Sequence, residues 1–149
     1  MTDSVADHRF LREAIELSRR CPPSDSAFSV GAVIVGPDGA VLATGFSRES
    51  DPHDHAEEAA LAKVAGPPGP GATIYSSLEP CLRRLSRPRS CCELITAAGI
   101  ARVVLAWREP PIFVPGGGAA WLEGCGVVVA EIPELAPEAR AVNAHLLLE

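Results

Sequence analysis

Five short runs rich in β-branched and apolar residues constrain this 149-residue chain more than any other feature. They occupy residues 28–35, 41–47, 73–78, 102–107 and 127–131, and each reads as a strand. The first two are joined by Gly36-Pro37-Asp38-Gly39, a hairpin turn. The others are separated by helical stretches: residues 55–64, rich in alanine, residues 91–98, closed by Gly99, and the short 119–122. A helix over residues 3–20 precedes them all, with Phe10, Leu11, Ala14, Ile15 and Leu17 on one side. It must stop at Cys21-Pro22-Pro23, because proline lacks the backbone donor and clashes with the preceding turn. A closing helix is expected over residues 133–148, where Ala139, Val142 and Leu146 share a face. The order α-β-β-α-β-α-β-α-β-α predicts an α/β fold in three layers, α/β/α. Its five-stranded sheet should be mixed and mostly parallel, with an antiparallel initial hairpin. A helix lies between the last two strands, so that pair should be parallel.

Residues 1–149 are expected to form one domain. The sharp break at Gly66-Pro67-Pro68-Gly69-Pro70-Gly71 has too little chain on either side to be a linker between folding units, and reads as a surface loop. No period of a repeat architecture recurs. The longest apolar runs fall far short of the roughly 20 residues a membrane span needs. No secretory signal is visible, so a cytoplasmic location is expected. The net charge of −6 argues against a chain whose main work is binding nucleic acid, since that requires clustered cations. Five cysteines without a secretion signal favour metal binding or core packing over disulfides. Three of them, Cys81, Cys91 and Cys92, lie close together.

His55-Ala56-Glu57 stands at a helix start, and Pro80-Cys81 is followed ten residues later by Cys91. One imidazole and two thiolates suit zinc, and three protein ligands leave a fourth position for water, the pattern of a catalytic site. Zinc lowers the pKa of that water toward neutrality and so makes a nucleophile. Glu57, two residues after His55 on the same helical turn, can sit beside the metal without ligating it and shuttle protons.

These residues resemble the zinc-dependent deaminases of the cytidine deaminase-like superfamily. The likeness is sharpest to the deaminase domain of the riboflavin-pathway enzymes. It rests on Ser77-Leu78-Glu79-Pro80-Cys81, on Ser86-Arg87-Pro88-Arg89-Ser90-Cys91-Cys92, on residues 97–104, and on Trp121-Leu122, Glu138-Ala139-Arg140, Asn143 and Leu146 in the tail. It implies the cytidine deaminase-like fold, Zn2+ on His55, Cys81 and Cys91, Glu57 as proton shuttle, a small-molecule pyrimidine substrate, and a homo-oligomer with a dimer favoured. The chain departs from the riboflavin pattern before the first strand, in the second strand, and in the loop before His55, which two extra residues in the region 51–54 lengthen. Ala27-Phe28 replaces an Asn-Pro pair and resembles free cytidine deaminases, and Ser47 replaces a histidine of the second strand. A free-nucleoside deaminase is thus the alternative, and a non-catalytic zinc-binding module on the same fold is the alternative outside enzymes.

Other residues admit two readings. Arg83, Arg84, Arg87 and Arg89 concentrate four of thirteen basic residues between the cysteines, and form either a phosphate clamp or a solvated loop. Trp107, with Phe113, either stacks on the base or packs in the core. Glu79 either orients the metal loop or is purely structural. His53 is expected to be a loop residue, Cys92 a packed helix residue, and Gly116-Gly117-Gly118 a turn without the Lys-Ser/Thr of a phosphate loop. Phe28 and Ser47 complete the expected substrate contacts.

Overall fold

The computed structural model describes residues 4–84, 87–113 and 116–147. Helix α1 (Ser4–Ser18) leads to the hairpin β1 (Gly31–Val35) and β2 (Val41–Phe46). Then follow α2 (Ala56–Leu61), β3 (Thr73–Ser76), α3 (Cys91–Ala97), β4 (Arg102–Leu105), α4 (Gly118–Gly124), β5 (Val128–Glu131) and α5 (Ala136–Val142). The sheet order is β2-β1-β3-β4-β5. Strand β1 is antiparallel to both β2 and β3, while β3–β4 and β4–β5 are parallel. Four strands therefore point one way and β1 alone is reversed. That reversal matters for function. It brings the approach to β1, residues 28–30, to the same sheet edge as the C-terminal ends of β2, β3 and β4. In open α/β sheets that edge is where ligands bind.

Helices cover both faces. Helix α1 packs on β1 and β3 with α5 beside it, and α2, α3 and α4 form the other layer. Ala32, Val33, Ile34, Ile74, Val103 and Val104, all fully buried, fill the two interfaces alternately, as the two-residue side-chain period of a strand requires. On one of these faces α2 lies unusually close. A β-carbon on Gly45 of β2 would fall 2.5 Å from the Ala56 carbonyl oxygen and from the Ala60 amide nitrogen. The small residues Ala56, Ala59 and Ala60 are what let this helix sit so near.

Most elements fall a residue or two short of their sequence patterns, and three depart further. The first strand begins at Gly31 rather than Phe28, because β2 ends at Phe46 and the chain then turns through Arg48 at φ 60°, so that beyond the Ser47 amide bonded to the Val30 carbonyl no ladder partner is left for residues 28 and 29. Helix α2 tightens after Leu61 into turns from Lys63 to Ala60 and from Val64 to Leu61. The tail is not one helix. Pro137 lacks the N–H that a helix continuing from Pro133 would need, so a 3-10 turn over Pro133–Leu135 precedes α5, which carries that proline in its first turn. A second 3-10 turn, Ala144–Leu146, follows Asn143. Asp3 and Leu148, at the ends of the expected helices, lie outside the described residues, as do Leu85 and Ser86 of the arginine-rich loop.

Candidate metal centre

Two helix starts and one loop converge beyond the C-terminal end of β3. His55 caps the N-terminus of α2 in an extended conformation (φ −90°, ψ 156°). Cys91 opens α3, whose cap is reciprocal: the Ser90 hydroxyl accepts from the Glu93 amide, and the Glu93 carboxylate accepts from the Ser90 amide, each at 3.2 Å. Cys81 sits on the loop between them, where its carbonyl accepts the Cys92 amide at 3.1 Å and its sulfur the Cys91 amide at 3.2 Å. The His55 Nδ1 lies 3.5 Å from the Cys81 sulfur and 3.3 Å from the Cys91 sulfur. All three ligand atoms fall within 4.8 Å of one another, and among the described residues no other such group of three forms.

This donor set fits zinc. The thiols already share their protons unequally. The hydrogen bond from Cys91 outweighs burial and, helped by His55, holds the Cys81 thiol down to about 4, whereas the same bond and burial push Cys91 well up. Cys92 points away, toward the carbonyls of Pro80 (3.4 Å) and Gly118 (3.7 Å), and burial pushes its thiol up as well. It is a packed residue, as expected.

Glu57 is only 3% exposed. Burial, then the neighbouring Cys81 charge, raises its carboxyl above the usual range. Its Oε2 is held by Ser76 at the end of β3 (3.0 Å), a residue that nothing in the sequence motif singled out. The same hydroxyl reaches the Leu78 carbonyl at 2.7 Å, so one proton serves two acceptors. Glu79 has a different task. Its oxygens accept the amides of Glu109 (2.9 Å) and Ala119 (2.8 Å), tying the loop after β4 and the start of α4 to the Cys81 loop. It orients the metal loop rather than facing the reaction. Gly118 shows why the glycine run is there: a β-carbon would lie 2.0 Å from the Pro80 carbonyl oxygen, so only glycine lets α4 approach.

A cavity of about 460 Å³ opens in front of His55, Glu57 and Cys81, well within the size range of small-molecule sites. Phe28 and Phe113 form an aromatic wall, edge to face at 5.1 Å. Trp107 does not line this cavity. It is buried behind Phe28, edge-on at 5.5 Å, so it supports the wall instead of touching a ligand. Ser47 lines the cavity, but its hydroxyl is committed to the Val30 amide at 3.0 Å.

The arginines divide. Arg83 and Arg84 line the cavity; Arg87 and Arg89 do not. Arg87 is held outside by Asp51, Asp54 and Glu58, the acids of the loop before α2 and of α2 itself. Arg84 is buried, its side chain 3% exposed, and only Nη2 is bonded, to the His53 carbonyl (2.7 Å) and Glu58 (3.2 Å). Its Nε and Nη1 have no partner among the described residues. The sequence also gave no sign of Glu109, which lines the cavity and whose carboxyl is raised to about 8 by burial and by the charges of Cys81, Glu57 and Glu79.

A half-buried imidazole and two buried cysteine sulfurs with a buried carboxyl beside them, at the mouth of a cavity on an α/β sheet, define the hydrolytic zinc deaminases as a class. The chain belongs to the cytidine and deoxycytidylate deaminase zinc-binding family, which it matches over residues 4–107. It is 43% identical over 126 residues to the diaminohydroxyphosphoribosylamino-pyrimidine deaminase of Schizosaccharomyces pombe, covering 82% of this chain and 31% of that one. It is 36% identical over 131 residues to the riboflavin biosynthesis protein RibD of Escherichia coli, covering 85% and 34%. Among solved structures, RibD of Acinetobacter baumannii superposes with a TM-score of 0.80 at 31% identity, over 98% of this chain and 40% of that one. The chain spans about a third of the length of these relatives.

Proposed function

We propose that the chain is a zinc-dependent hydrolytic deaminase acting, as a single domain, on an aminopyrimidine that carries a phosphoribosyl group. The observation that carries this reading is Glu57. Among the described residues, the carboxyl buried beside three metal ligands and opening on a ligand-sized cavity is held by only the Ser76 hydroxyl and its own backbone amide, with no Lys or Arg beside it. His55, Cys81 and Cys91 would hold the zinc, which would supply Lewis acidity and lower the pKa of water at the site. Glu57 takes one proton from that water and gives it to the ring nitrogen, then takes the second from the oxygen now on the ring carbon and gives it to the departing amine. Ammonia leaves, and the ring carbon keeps the oxygen. Ser76 keeps one carboxyl oxygen in place during this exchange, and Phe28 and Phe113 supply faces and edges for the base.

The named activity of the Schizosaccharomyces pombe relative supports the aminopyrimidine. The Nε and Nη1 of Arg84, without a partner among the described residues, support the phosphate, with Arg83 at the rim. Buried guanidinium N–H groups without an acceptor are costly, and phosphate oxygens would satisfy them. Arg87 and Arg89 have no part in this clamp. Family resemblance supports a cytoplasmic homo-oligomer, with a dimer favoured; sedimentation of the purified chain checks the latter. No helix among the described residues is long and apolar enough to cross a membrane.

The test is ammonia release from the diaminohydroxyphosphoribosylaminopyrimidine, its dephosphorylated form, cytidine and deoxycytidine phosphate. Preference for the first supports the proposal. Equal use of the phosphorylated and dephosphorylated forms, unchanged by Arg84→Met, would move the free-nucleoside alternative ahead. Stoichiometric zinc with no ammonia from any substrate would favour a non-catalytic module.

A further inference from the structure

The aromatic wall has an unusual foundation. Residues 28–30 precede β1, and apart from the Val30 carbonyl, which accepts the Ser47 amide at 3.0 Å, their backbone groups must find other partners. Side chains supply nearly all of them. Arg48 donates through Nη1 to the Phe28 carbonyl (3.2 Å) and through Nη2 to the Ser29 hydroxyl (2.8 Å). Ser47 takes the Val30 amide. The central residue, Ser29, is held from the far end of the chain. Its amide donates to Asn143 Oδ1 at 2.6 Å, and its carbonyl accepts from Asn143 Nδ2 at 3.0 Å. The carboxamide of Asn143, 1% exposed, thus copies the two hydrogen bonds an adjoining strand would make. Its Nδ2 also reaches the Ala139 carbonyl (3.3 Å), one turn back in α5, which fixes the side chain to its own helix. Arg48 is anchored in turn on the Pro22 carbonyl, at 2.8 Å from Nη2 and 3.1 Å from Nε.

We propose that Asn143 is a positioning residue for substrate binding: it sets the place of Phe28, and so couples the C-terminal segment to the aromatic wall of the cavity. Arg48 holds the same segment from the β2 side, but it also lines the cavity itself. Asn143 does not line the cavity, so any effect it has on the substrate passes through residues 28–30. The inference rests on the reading of this cavity as the substrate site.

A double-mutant cycle on the zinc-loaded full chain tests it, with the phosphoribosylaminopyrimidine as substrate. Phe28→Ala should raise KM, Asn143→Ala should raise KM about tenfold with kcat and zinc content kept, and the double variant should match Phe28→Ala alone, because coupled residues are not additive. In a Trp121→Phe background, which leaves Trp107 as the sole tryptophan, Asn143→Ala should also shift the emission to the red as Phe28 withdraws from that ring. If Asn143→Ala does not yield folded protein, Asn143→Asp, which keeps the acceptor for the Ser29 amide and loses the donor to its carbonyl, carries the same cycle and the same fluorescence readout. Additive KM effects, or an unshifted emission, would overturn the positioning role while leaving the site assignment intact. An unchanged KM in Phe28→Ala would overturn both that assignment of the wall and the inference built on it.

Discussion

Asp7 and Glu57 are equally hidden, each 3% exposed, yet they sit at opposite poles of the chemistry of this fold. Asp7, in α1, meets Arg102 at 2.7 and 3.0 Å and the Tyr75 hydroxyl at 2.6 Å. Burial alone would raise its carboxyl, but the hydrogen bonds from Arg102 and Tyr75 hold it below the ordinary range. Glu57 has one hydroxyl, its own backbone amide and no Arg or Lys among the described residues; burial and the Cys81 charge push it up against the weaker pull of His55. The first carboxylate is a solved electrostatic problem that clamps α1 to β3 and β4. The second is left unsolved by the protein, and a group in that condition can move a proton. Burial by itself therefore does not mark a functional carboxylate; burial without a matching charge does.

The two regions should respond differently to mutation. The largest contrast concerns metal. Cys91→Ala or Cys81→Ala should reduce zinc from about one per chain to none and abolish turnover, whereas Asp7→Asn should keep full zinc. Metal analysis of the three purified variants checks this, and stoichiometric zinc in both cysteine variants would break the ligand assignment.

Next comes stability. Asp7→Asn leaves Arg102 without its carboxylate and should cost about 3 kcal/mol, the low end for breaking a buried pair, while kcat stays unchanged. For a chain of this size that is a fall in Tm of roughly 6–12 °C. The loss should depend on pH. Because the folded-state pKa of Asp7 is depressed, its contribution is fully present above the unfolded value of about 3.9 and disappears as pH falls through the folded value. Wild type and Asp7→Asn should thus converge in stability in strong acid and diverge above about pH 4. Tyr75 acts at the other limit. Burial, with Asp7 beside it, raises its hydroxyl to about 12, so its share is present below the unfolded value near 10 and is lost as pH rises toward 12. Urea titrations across pH read both windows.

The smallest contrast compares the hydroxyls that touch the two carboxylates. Ser76→Ala should lower kcat about tenfold with little change in Tm, the worth of one hydrogen bond to a charged group. Tyr75→Phe should cost about 1 kcal/mol of stability with no change in kcat. Equal kinetic effects in the two variants would blur the distinction drawn between the regions.

How far each region can be read from sequence follows from where its contacts come from. His55, Glu57, Cys81 and Cys91 belong to short segments whose chemistry is local, two helix starts and one loop, so spacing alone assembles them. The strand order of β3, β4 and β5 follows from helical connections, which force parallel pairing. The wall at residues 28–30 is opaque, because Ser29 and Asn143 lie 114 positions apart and their bonds replace a ladder that periodicity predicts in error. Arg87 misleads for a similar reason. Its partners Asp51 and Asp54 read only as a lengthened loop, and nothing local shows that they will neutralise a guanidinium across the space before α2. Ser76 hides inside an ordinary strand pattern, where one hydroxyl at a strand end carries no signal of the carboxyl it will meet.

The central claim is that the unpaired carboxyl of Glu57 moves the proton in deamination of a phosphoribosylaminopyrimidine. Ammonia release from that substrate by zinc-loaded Glu57→Gln, compared with wild type at equal measured zinc content, tests it most directly. A loss of about 10²–10⁴-fold in kcat with zinc retained is the expected result, the usual contribution of a general acid–base group. Near-normal turnover in Glu57→Gln at full zinc occupancy would contradict it and assign the proton to another group of the cavity.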